Sequence, residues 1–421
     1  METTAETSFW TFYTRLQALA DDPGAVASYA ESYLAAHAGN FPIVEGNMAH
    51  FIYKEQPGTI VGVGGEWNGF DARQAIMNPI GAGLLHYQHE FELDARLDYF
   101  FFEYETGSSP DLFSDPGAIV LDDMRPALDP LNRRFGESGF GPRSELAMPA
   151  YQRPAITREQ PGVLAGLLRE ETIKSEALQQ ERVYTVYLPP AYSANNQPYP
   201  GIYFHDGGDY LSMGKAPIVL NNLIAAGAIP AVVAVFVPPV DRQREYNCDD
   251  RYVTFLCDEL LPELQGRYNL SGDPARRAIM GPSLGGLISL YTGQQRPDRF
   301  GLVGAQSSAV KSINGLDIFD ARAAYAVETR LPLRLHLVIG SYEDCFSTNG
   351  QGRCSDLLNP VREFCSTLEQ RGYAYRYVEH HQGHSWGLWR DTLADALTYF
   401  FGESPDEPRT SHQFLEEERT R

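Results

Sequence analysis

Apolar side chains recur at helical spacing near the start of the chain. Phe9, Phe12 and Leu16 lie three or four residues apart, and the stretch DDPG at 21–24 interrupts the pattern. The spacing predicts two helices within residues 8–37, separated by this break.

Between residues 48 and 104 the pattern changes to short apolar runs separated by turn residues. Such runs are typical of β-strands, and they occur at 50–53, 59–63, 91–93 and 97–102. This segment predicts a small β-sandwich. Residues 105–165, rich in Pro, Gly, Asp and Ser, predict a structured linker.

From about residue 170 onward, strand-like and helix-like patterns alternate. Strands are predicted at 184–188, 202–204, 231–237, 278–280, 333–339 and 373–378. Helices are predicted at 217–226, 252–264, 286–294 and 357–371. This alternation predicts an α/β protein, in which helices cover both faces of a mostly parallel sheet.

These patterns divide the chain into five parts. The predicted parts are N-terminal helices at 1–40, a β-sandwich at 41–115, a linker at 116–165, an α/β domain at 166–403 and a charged, flexible tail at 404–421.

The charge balance excludes some classes of partner. The chain has 34 Lys and Arg against 55 Asp and Glu, a net charge of −21, which repels nucleic acids and anionic membrane surfaces. No apolar run reaches 18 residues, and the first residues lack the basic and apolar regions of a signal peptide. The sequence therefore predicts a cytoplasmic protein with neither nucleic acid nor membrane as a partner.

The cysteines and the remaining motifs offer no metal or cofactor site. Five cysteines form a sparse, odd-numbered set, in which Cys345 and Cys354 are close enough to pair but free thiols are favoured. The chain contains no HExxH, CxxC or P-loop pattern. We therefore expect neither a metal nor a cofactor.

A G-x-S-x-G pattern lies in the stretch GPSLGG, residues 281–286. Ser283 follows a short apolar strand and precedes a helix-forming run, which is the context that exposes a serine on a sharp turn at the edge of a sheet. The glycines leave room for the crowded backbone. We therefore expect Ser283 to be a nucleophile rather than one serine of a flexible turn.

A serine nucleophile needs a base, and His384 is the strongest candidate. It follows the predicted strand at 373–378 and lies in a turn, 101 residues after Ser283. His380 and His381 compete for this role but lie at the strand end, before the turn.

The acid that orients this histidine should lie between the serine and the histidine along the chain. Glu343 and Asp344 follow the strand at 333–339, at the edge where the active sites of such sheets form. Because the two side chains are adjacent, only one can point inward. We favour Glu343 and keep Asp344 as the alternative.

Two backbone N–H groups are expected to stabilise an oxyanion. One belongs to Leu284, at the start of the helix after Ser283. The other belongs to Gly208 or Asp209 in the stretch YFHDGGDY, for which a plain turn is the alternative. Asp206 in this stretch is expected to form structural hydrogen bonds.

Several stretches, in order over about 240 residues, resemble a known family. They are ERVYTVYLPPAY (181–192), YFHDGGDY (203–210), DELLPELQGRYNL (258–270), AIMGPSLGGLISLY (278–291), VIGSYED (338–344) and GHSWGLWR (383–390). They are similar to the enterochelin (enterobactin) esterase-like serine hydrolases, an α/β-hydrolase group that also contains feruloyl and acetyl-xylan esterases. In this family the acid stands three residues after a glycine, which implies Glu343 after Gly340. The chain departs from the family's GGHD motif at Gln382 and Ser385, which puts a substrate contact in doubt.

The N-terminal part also resembles these esterases. The stretches AHFIYKE (49–55), IVGVGGEWNGFD (60–71) and LDYFFFE (97–103) look like their immunoglobulin-like early-set domain. A sugar-binding role would use Trp67 and neighbouring tyrosines. We favour the alternative, a scaffold that shapes the hydrolase pocket.

Several further residues are expected near the substrate. Arg242 and Glu245 match an Arg-x-x-Glu pattern of the family, and either substrate binding or bracing of the loop is open for them. Asp209 is expected beside the substrate. Trp386 and Trp389 are expected to form an aromatic wall, with one of the two in the core.

The sequence therefore predicts a serine carboxylic-ester hydrolase that acts on a small-molecule ester through an acyl-enzyme. The substrate is either a siderophore ester or an aryl or acetyl ester of the feruloyl or acetyl-xylan kind. A non-catalytic carbohydrate-binding protein on a hydrolase fold is the alternative from another class. The N-terminal domain offers a surface for a homodimer, a point that the sequence leaves open.

Overall fold

The computed structural model describes residues 8–105, 123–136, 138, 141–195, 197–312, 319–348 and 353–402. These residues form two compact units. Unit 1 lies within Met1–Gln152, Ser341–Asp356 and His381–Gly387, and unit 2 within Arg153–Gly340, Leu357–His380 and Leu388–Arg421. The tail predicted at 404–421 lies outside the described residues, and the predicted domain boundaries stay predictions.

Unit 1 begins with the two predicted helices, α1 (Phe9–Ala18) and α2 (Pro23–Ala36). The Asp22 side chain caps α2 by accepting two N–H groups of the first turn, and Pro23 suits the first helical position. The apolar faces of both helices enter one core, which contains Phe9, Phe12, Leu16, Val26, Ala30, Tyr33, Leu34, Phe41, Ile43, Ile52, Ile80 and Leu84.

Two antiparallel sheets complete the N-terminal part of unit 1. Their strands are β1 Ile43–Glu45, β2 Met48–Lys54, β3 Thr59–Gly65, β4 Asn78–Gly81, β5 Leu84–Glu90, β6 Arg96–Glu105, β7 Arg125–Ala127, β8 Phe135–Gly136 and β9 Arg143–Ala147. One sheet has the order β1-β2-β5-β4, and the other has β3-β6-β9-β8 with β7 paired to β6. Side chains from both sheets share a buried core that includes Phe51, Val63 and Tyr99.

Two details of this region differ from the sequence-based expectations. The strands β7 to β9 lie in the segment that we expected to be a linker, because they are short and interrupted by turn residues that hide the alternating pattern. The strand predicted at 91–93 is wrong. These residues form a turn before β6, closed by the Ala95 N–H donating to the Glu92 carbonyl.

Unit 2 is built on one mixed sheet. In chain order the strands are β10 Leu167–Ser175, β11 Gln180–Leu188, β12 Gly201–His205, β13 Val233–Val237, β14 Arg277–Pro282, β15 Leu302–Gln306 and β16 Arg334–Gly340, then the unit 1 hairpin strands β17 Ser347–Thr348 and β18 Cys354–Ser355, and then β19 Ala374–His380. The sheet order is β10-β11-β13-β12-β14-β15-β16-β19. From β13 to β19 along this order, all neighbours are parallel. The predicted α/β class is confirmed.

Helices alternate with these strands along the chain. Their bounds are α3 Gly207–Ser212, α4 Ala216–Ala225, α5 Arg242–Tyr246, α6 Asp250–Thr254, α7 Leu261–Arg267, α8 Leu284–Gln295, α9 Ala321–Tyr325, α10 Leu358–Gln370, α11 Trp386–Asp391 and α12 Leu393–Phe401. A π-helical segment, Phe255–Leu260, joins α6 to α7. The central strand β13 (VAVFV) is buried along its length, as expected of a parallel strand covered on both faces.

The cysteines differ from the expectation of free thiols. Cys345 and Cys354 form a disulfide, with their Cα atoms 4.9 Å apart. The pairing of β17 with β18 brings the two backbones together, and spacing along the chain does not reveal this pairing. Cys248, Cys257 and Cys365 are free and buried.

The described residues contain neither a membrane-spanning helix nor a cluster of metal-binding side chains. Within the described ranges, every helix is too short or too polar to span a bilayer. The same residues contain no group of three or more His, Cys, Asp or Glu side chains that could hold a metal ion.

Candidate active site

Ser283 lies on a sharp turn between a strand and a helix. It directly follows β14 and directly precedes α8, and its backbone adopts φ 57° and ψ −120°. A residue that carries a Cβ atom rarely adopts a positive φ, so this conformation is strained. The Ser283 N–H donates to the Gln306 carbonyl at 2.8 Å, which ties the turn to the neighbouring strand β15.

The flanking glycines allow the turn to close. A Cβ atom on Gly281 would lie 2.6 Å from the Gly285 carbonyl carbon, and one on Gly286 would lie 2.7 Å from the Ser308 Cβ. Neither glycine has a positive φ, so the close approach of neighbouring atoms, not the backbone conformation, excludes a side chain here.

The first turn of α8 presents N–H groups beside Ser283. The first hydrogen bonds of this turn run from the N–H groups of Gly286 and Leu287 to the Ser283 carbonyl. Leu284 comes before these two residues, so its N–H lies at the positive end of the helix, where N–H groups have no partner within the helix. The geometry therefore suits Leu284 as an oxyanion donor.

Glu343 and His384 form a hydrogen-bonded pair within unit 1. Glu343 follows Gly340 by three residues and lies in a 3-10 turn, Ser341–Cys345. Its Oε2 atom is 2.7 Å from His384 Nδ1, and its side chain is fully buried. Asp344 is exposed. Of the two candidate acids, Glu343 is thus the one that meets the histidine.

The carboxyl ends of three parallel strands precede the three predicted catalytic residues. Ser283 comes directly after β14, Glu343 three residues after the end of β16, and His384 four residues after the end of β19. Because neighbouring parallel strands end at one edge of a sheet, β14, β16 and β19 all end at the same edge of the unit 2 sheet.

The loop after β12 contains the second predicted oxyanion donor. Asp206 has a positive φ of 52°, and its carbonyl accepts the Asp209 N–H at 3.0 Å. Since that bond occupies the Asp209 N–H, Gly208, which is exposed, is the better of the two candidates. A Cβ atom on Gly207 would overlap the backbone of β13, at Val237 N.

Arg242 braces this loop. Its Nε and Nη2 atoms donate to the two carboxylate oxygens of Asp206, at 2.8 and 2.9 Å, and Nη2 is 3.4 Å from the Pro282 carbonyl. Burial raises the pKa of Asp206, and the Arg242 hydrogen bonds and charge oppose that rise. Arg242 therefore connects the loop after β12 to the residue that precedes Ser283, which favours the bracing alternative.

Three other residues that were expected near the substrate are buried. Glu245 is 3% exposed and accepts two hydrogen bonds from the Arg182 guanidinium, which favours the bracing alternative for it as well. Trp386 is 4% exposed and Trp389 is 7% exposed. The Trp389 indole N–H donates to Ser307 Oγ. Both tryptophans are thus buried, whereas only one of the two was expected in the core, and the aromatic wall stays a prediction.

Sequence reasoning missed two residues at this site. Phe346 packs its ring 4.9 Å from the His384 ring, and nothing in the sequence indicates this contact. Gln306, beside Ser283, donates through Nε2 to the Trp389 carbonyl and to Thr392 Oγ1. Gln306 could have been identified from the sequence, because it is the polar residue at the end of the apolar strand LVGAQ.

Comparisons with known proteins concern mainly the α/β part of the chain. The model of the family described as "Putative esterase" matches residues 175–400. The uncharacterized protein YjcH of Bacillus subtilis (strain 168) is 27% identical over 239 residues, which are 55% of this chain and 96% of that protein. The iron(III) enterobactin esterase of Dickeya dadantii (strain 3937) is 29% identical over 254 residues, 56% of this chain and 58% of the relative.

The fold also resembles a solved structure over most of its length. The enterobactin esterase of Shigella flexneri, crystallised in the presence of enterobactin, superposes with a TM-score of 0.67 at 20% identity. The match covers 88% of this chain and 97% of that chain.

Proposed function

This chain belongs to the esterase family and is a serine esterase, and we propose that it hydrolyses its ester through an acyl-enzyme formed on Ser283. The observation that carries the proposal is the strained backbone of Ser283 between β14 and α8. Strain of this kind persists where a function requires it, because it presents a nucleophile away from the surrounding backbone.

His384 serves as the base in this proposal. Its Nδ1–H donates to the buried carboxylate of Glu343, so the lone pair lies on Nε2. Nε2 takes the Ser283 hydroxyl proton as Oγ attacks the ester carbonyl carbon. Glu343 keeps the ring in this tautomer and stabilises the imidazolium that forms.

The tetrahedral oxyanion is stabilised by backbone N–H groups. Leu284 supplies one from the start of α8, and Gly208 supplies the second from the loop after β12. The imidazolium then gives its proton to the leaving alcohol oxygen as the ester bond breaks. In the second half, His384 activates a water molecule that attacks the acyl-enzyme and releases the acid and Ser283.

For the substrate we propose a catecholate siderophore ester of the enterobactin kind. The support is the similarity to the Dickeya dadantii esterase and the shared fold with the Shigella flexneri esterase. We also propose that the two sheets of unit 1 are the immunoglobulin-like early-set domain of such esterases and act as a scaffold. An aryl or acetyl ester of plant sugars is the competing substrate class.

The test compares Ser283→Ala with a matched control, Ser271→Ala. Ser271 is a buried serine that precedes the amino end of β14. We expect Ser283→Ala to lower the hydrolysis of p-nitrophenyl esters by at least about 10³-fold, and the control to keep its rate. Retained activity in Ser283→Ala would overturn the proposal. Rates on ferric and iron-free catecholate trilactone and on methyl ferulate separate the substrate classes.

A further inference from the structure

The loop that carries His384 is attached to strand β6 through one arginine. The Arg96 backbone N–H donates to the His381 carbonyl at 3.0 Å, and its Nη1 donates to Ser385 Oγ at 3.1 Å. Arg96, His381, His384 and Ser385 all belong to unit 1. The two contacts therefore hold the loop three residues before His384 and one residue after it.

The guanidinium of Arg96 is itself held rigidly. Its Nε and Nη2 donate to Glu145 Oε2 at 3.0 and 2.7 Å, and Nη2 lies 2.7 Å from Asp98 Oδ1. Arg96 is 1% exposed, and both carboxylates are buried. A planar guanidinium fixed on one side by two carboxylates offers Nη1 to Ser385 in one orientation.

Two glycines around His384 allow this close approach. A Cβ atom on Gly387 would overlap the Arg96 guanidinium, lying 2.5 Å from Cζ. A Cβ atom on Gly383 would lie 2.5 Å from the Glu66 Cβ and Cδ atoms. Neither glycine has a positive φ, so contact with these two side chains is what requires glycine in the stretch GHSWG.

We propose that Arg96 is a positioning residue for His384: by holding His381 and Ser385, it fixes the orientation of the imidazole that serves as the base. The inference rests on the proposed role of His384. Arg96 does not act on the substrate in this account. It restricts the loop, while the Glu343 carboxylate orients the ring.

The position of Ser385 supports this assignment. It directly follows the histidine, at the point where the sequence departs from the motif of the resembling esterases. It is 2% exposed, and its hydroxyl oxygen accepts the hydrogen bond from Arg96. Residue 385 therefore acts on the loop from within unit 1 and not on a ligand.

The first experiment removes the hydroxyl with Ser385→Ala and compares it with Ser144→Ala. Ser144 is fully buried in unit 1, and its Oγ accepts the Asp129 N–H at 2.8 Å. We expect Ser385→Ala to lower kcat about 10-fold with KM within twofold, because small displacements of catalytic groups cost this much or more. Ser144→Ala should keep kcat even if its melting temperature falls. Equal kcat in Ser385→Ala and wild type would overturn the inference.

A second experiment tests whether Arg96 and Ser385 act through one contact. Arg96→Lys keeps a cation beside Glu145 and Asp98, but one ammonium cannot also reproduce the Nη1 hydrogen bond to Ser385 Oγ. We expect the kcat losses of Arg96→Lys and Ser385→Ala to be non-additive, so that the double variant is no slower than the slower single variant. Additive losses would contradict a shared contact. If Arg96→Lys does not fold, the experiment uses Gly387→Ala instead, because the added Cβ atom would displace the Arg96 guanidinium.

A spectroscopic measurement separates positioning from general stability. The far-downfield proton resonance of His384 Nδ1–H should broaden or shift in Ser385→Ala and stay unchanged in Ser144→Ala. An unchanged resonance in Ser385→Ala would overturn the inference. If Ser283→Ala loses activity while Ser385→Ala keeps full kcat, the inference fails and the proposed function stands. If Ser283→Ala stays active, the proposed function itself fails.

Discussion

Glu343 Oε2 and His384 Nδ1 are 2.7 Å apart, and this hydrogen bond joins a fully buried carboxylate to a ring that is partly exposed. Since the carboxylate accepts, Nδ1 must carry the proton, and Nε2 is left as the basic nitrogen. The pair lies in two segments that follow the parallel strands β16 and β19. With Ser283 after β14, the chain order is serine, acid, histidine, as in α/β-hydrolases.

The first prediction separates the two adjacent acids after β16. Glu343→Gln should lower kcat by about 10³- to 10⁴-fold, because an amide no longer holds the histidine in the productive tautomer. Asp344→Asn should stay within about twofold, since this side chain is exposed. Steady-state kinetics on one p-nitrophenyl ester measures both variants. A large loss in Asp344→Asn with an active Glu343→Gln would reverse the assignment.

The second prediction concerns the strain stored at Ser283. Ser283→Gly and Ser283→Ala should both be inactive, but glycine relieves the positive φ and alanine does not. We expect Ser283→Gly to be more stable than Ser283→Ala by about 1 kcal/mol. Urea denaturation monitored by tryptophan fluorescence measures the difference. A glycine variant that unfolds at lower urea than the alanine variant would show that the turn is not strained.

The sequence predicts the elements whose patterns are local and strong. The apolar runs of β13 and β16 and the helical spacing of α1 match the structure within a few residues. The turn at Ser283 is also predictable, because the G-x-S-x-G pattern lies between an apolar run and a helix-forming run. The short strands β8 and β9 are not, since they are defined by pairing, β9 with distant β6 and β8 with β9, rather than by their own composition.

The site was less predictable than the fold because its supports come from distant parts of the chain. Arg96 and Ser385 are 289 residues apart, so no local motif connects them. Arg242 and Glu245 lie in one short helix but bind different partners, Asp206 and Arg182. Spacing along a chain shows which residues share one face of a helix or strand. It does not show which side chains from distant parts of the chain contact them. The homodimer, which the sequence leaves open, is not tested by the structure.

The third prediction concerns the disulfide beside the Glu343–His384 pair. Cys345 is two residues after Glu343, and Phe346, next to it, packs on the His384 ring. The double variant Cys345→Ser/Cys354→Ser should lose about 2 to 3 kcal/mol of stability and several-fold in kcat, because the hairpin no longer holds Phe346. Dithiothreitol should reproduce both losses in the wild type and leave the variant unchanged.

A thiol count checks the premise of this prediction. Unfolded, unreduced wild type should show three reactive thiols, those of Cys248, Cys257 and Cys365, and reduction should raise the count to all five cysteines. Five thiols without reduction would contradict the disulfide. A reductant effect on the double variant would show that the losses arise elsewhere.

The fourth prediction is a pH dependence of stability that originates at Glu66. Burial, together with the charge of Asp98, raises the pKa of Glu66 from 4.5 to about 8, although Arg96 and Arg143 oppose the rise. The folded state then binds a proton that the unfolded state releases above about pH 4.5. This contribution to stability is therefore complete below the unfolded pKa and is lost as the pH rises toward 8, by up to about 1.4 kcal/mol per pH unit.

Glu66→Gln isolates this contribution, with Glu55→Gln, an exposed glutamate in the same unit, as its control. The amide oxygen can still accept the Asp98 N–H that Glu66 Oε2 accepts at 2.8 Å, while the titrating proton is gone. Urea denaturation at pH 5, 6, 7 and 8 should give a free energy of unfolding that falls more steeply with pH in wild type and Glu55→Gln than in Glu66→Gln. The histidines His50 and His86, whose pKa values burial lowers to about 4, affect the three proteins equally. The difference between the curves therefore belongs to Glu66 together with the neighbouring Asp98 carboxyl, whose pKa burial also raises. Parallel curves would mean that Glu66 is ionised in the folded protein, with Arg96 and Arg143 outweighing the effect of burial.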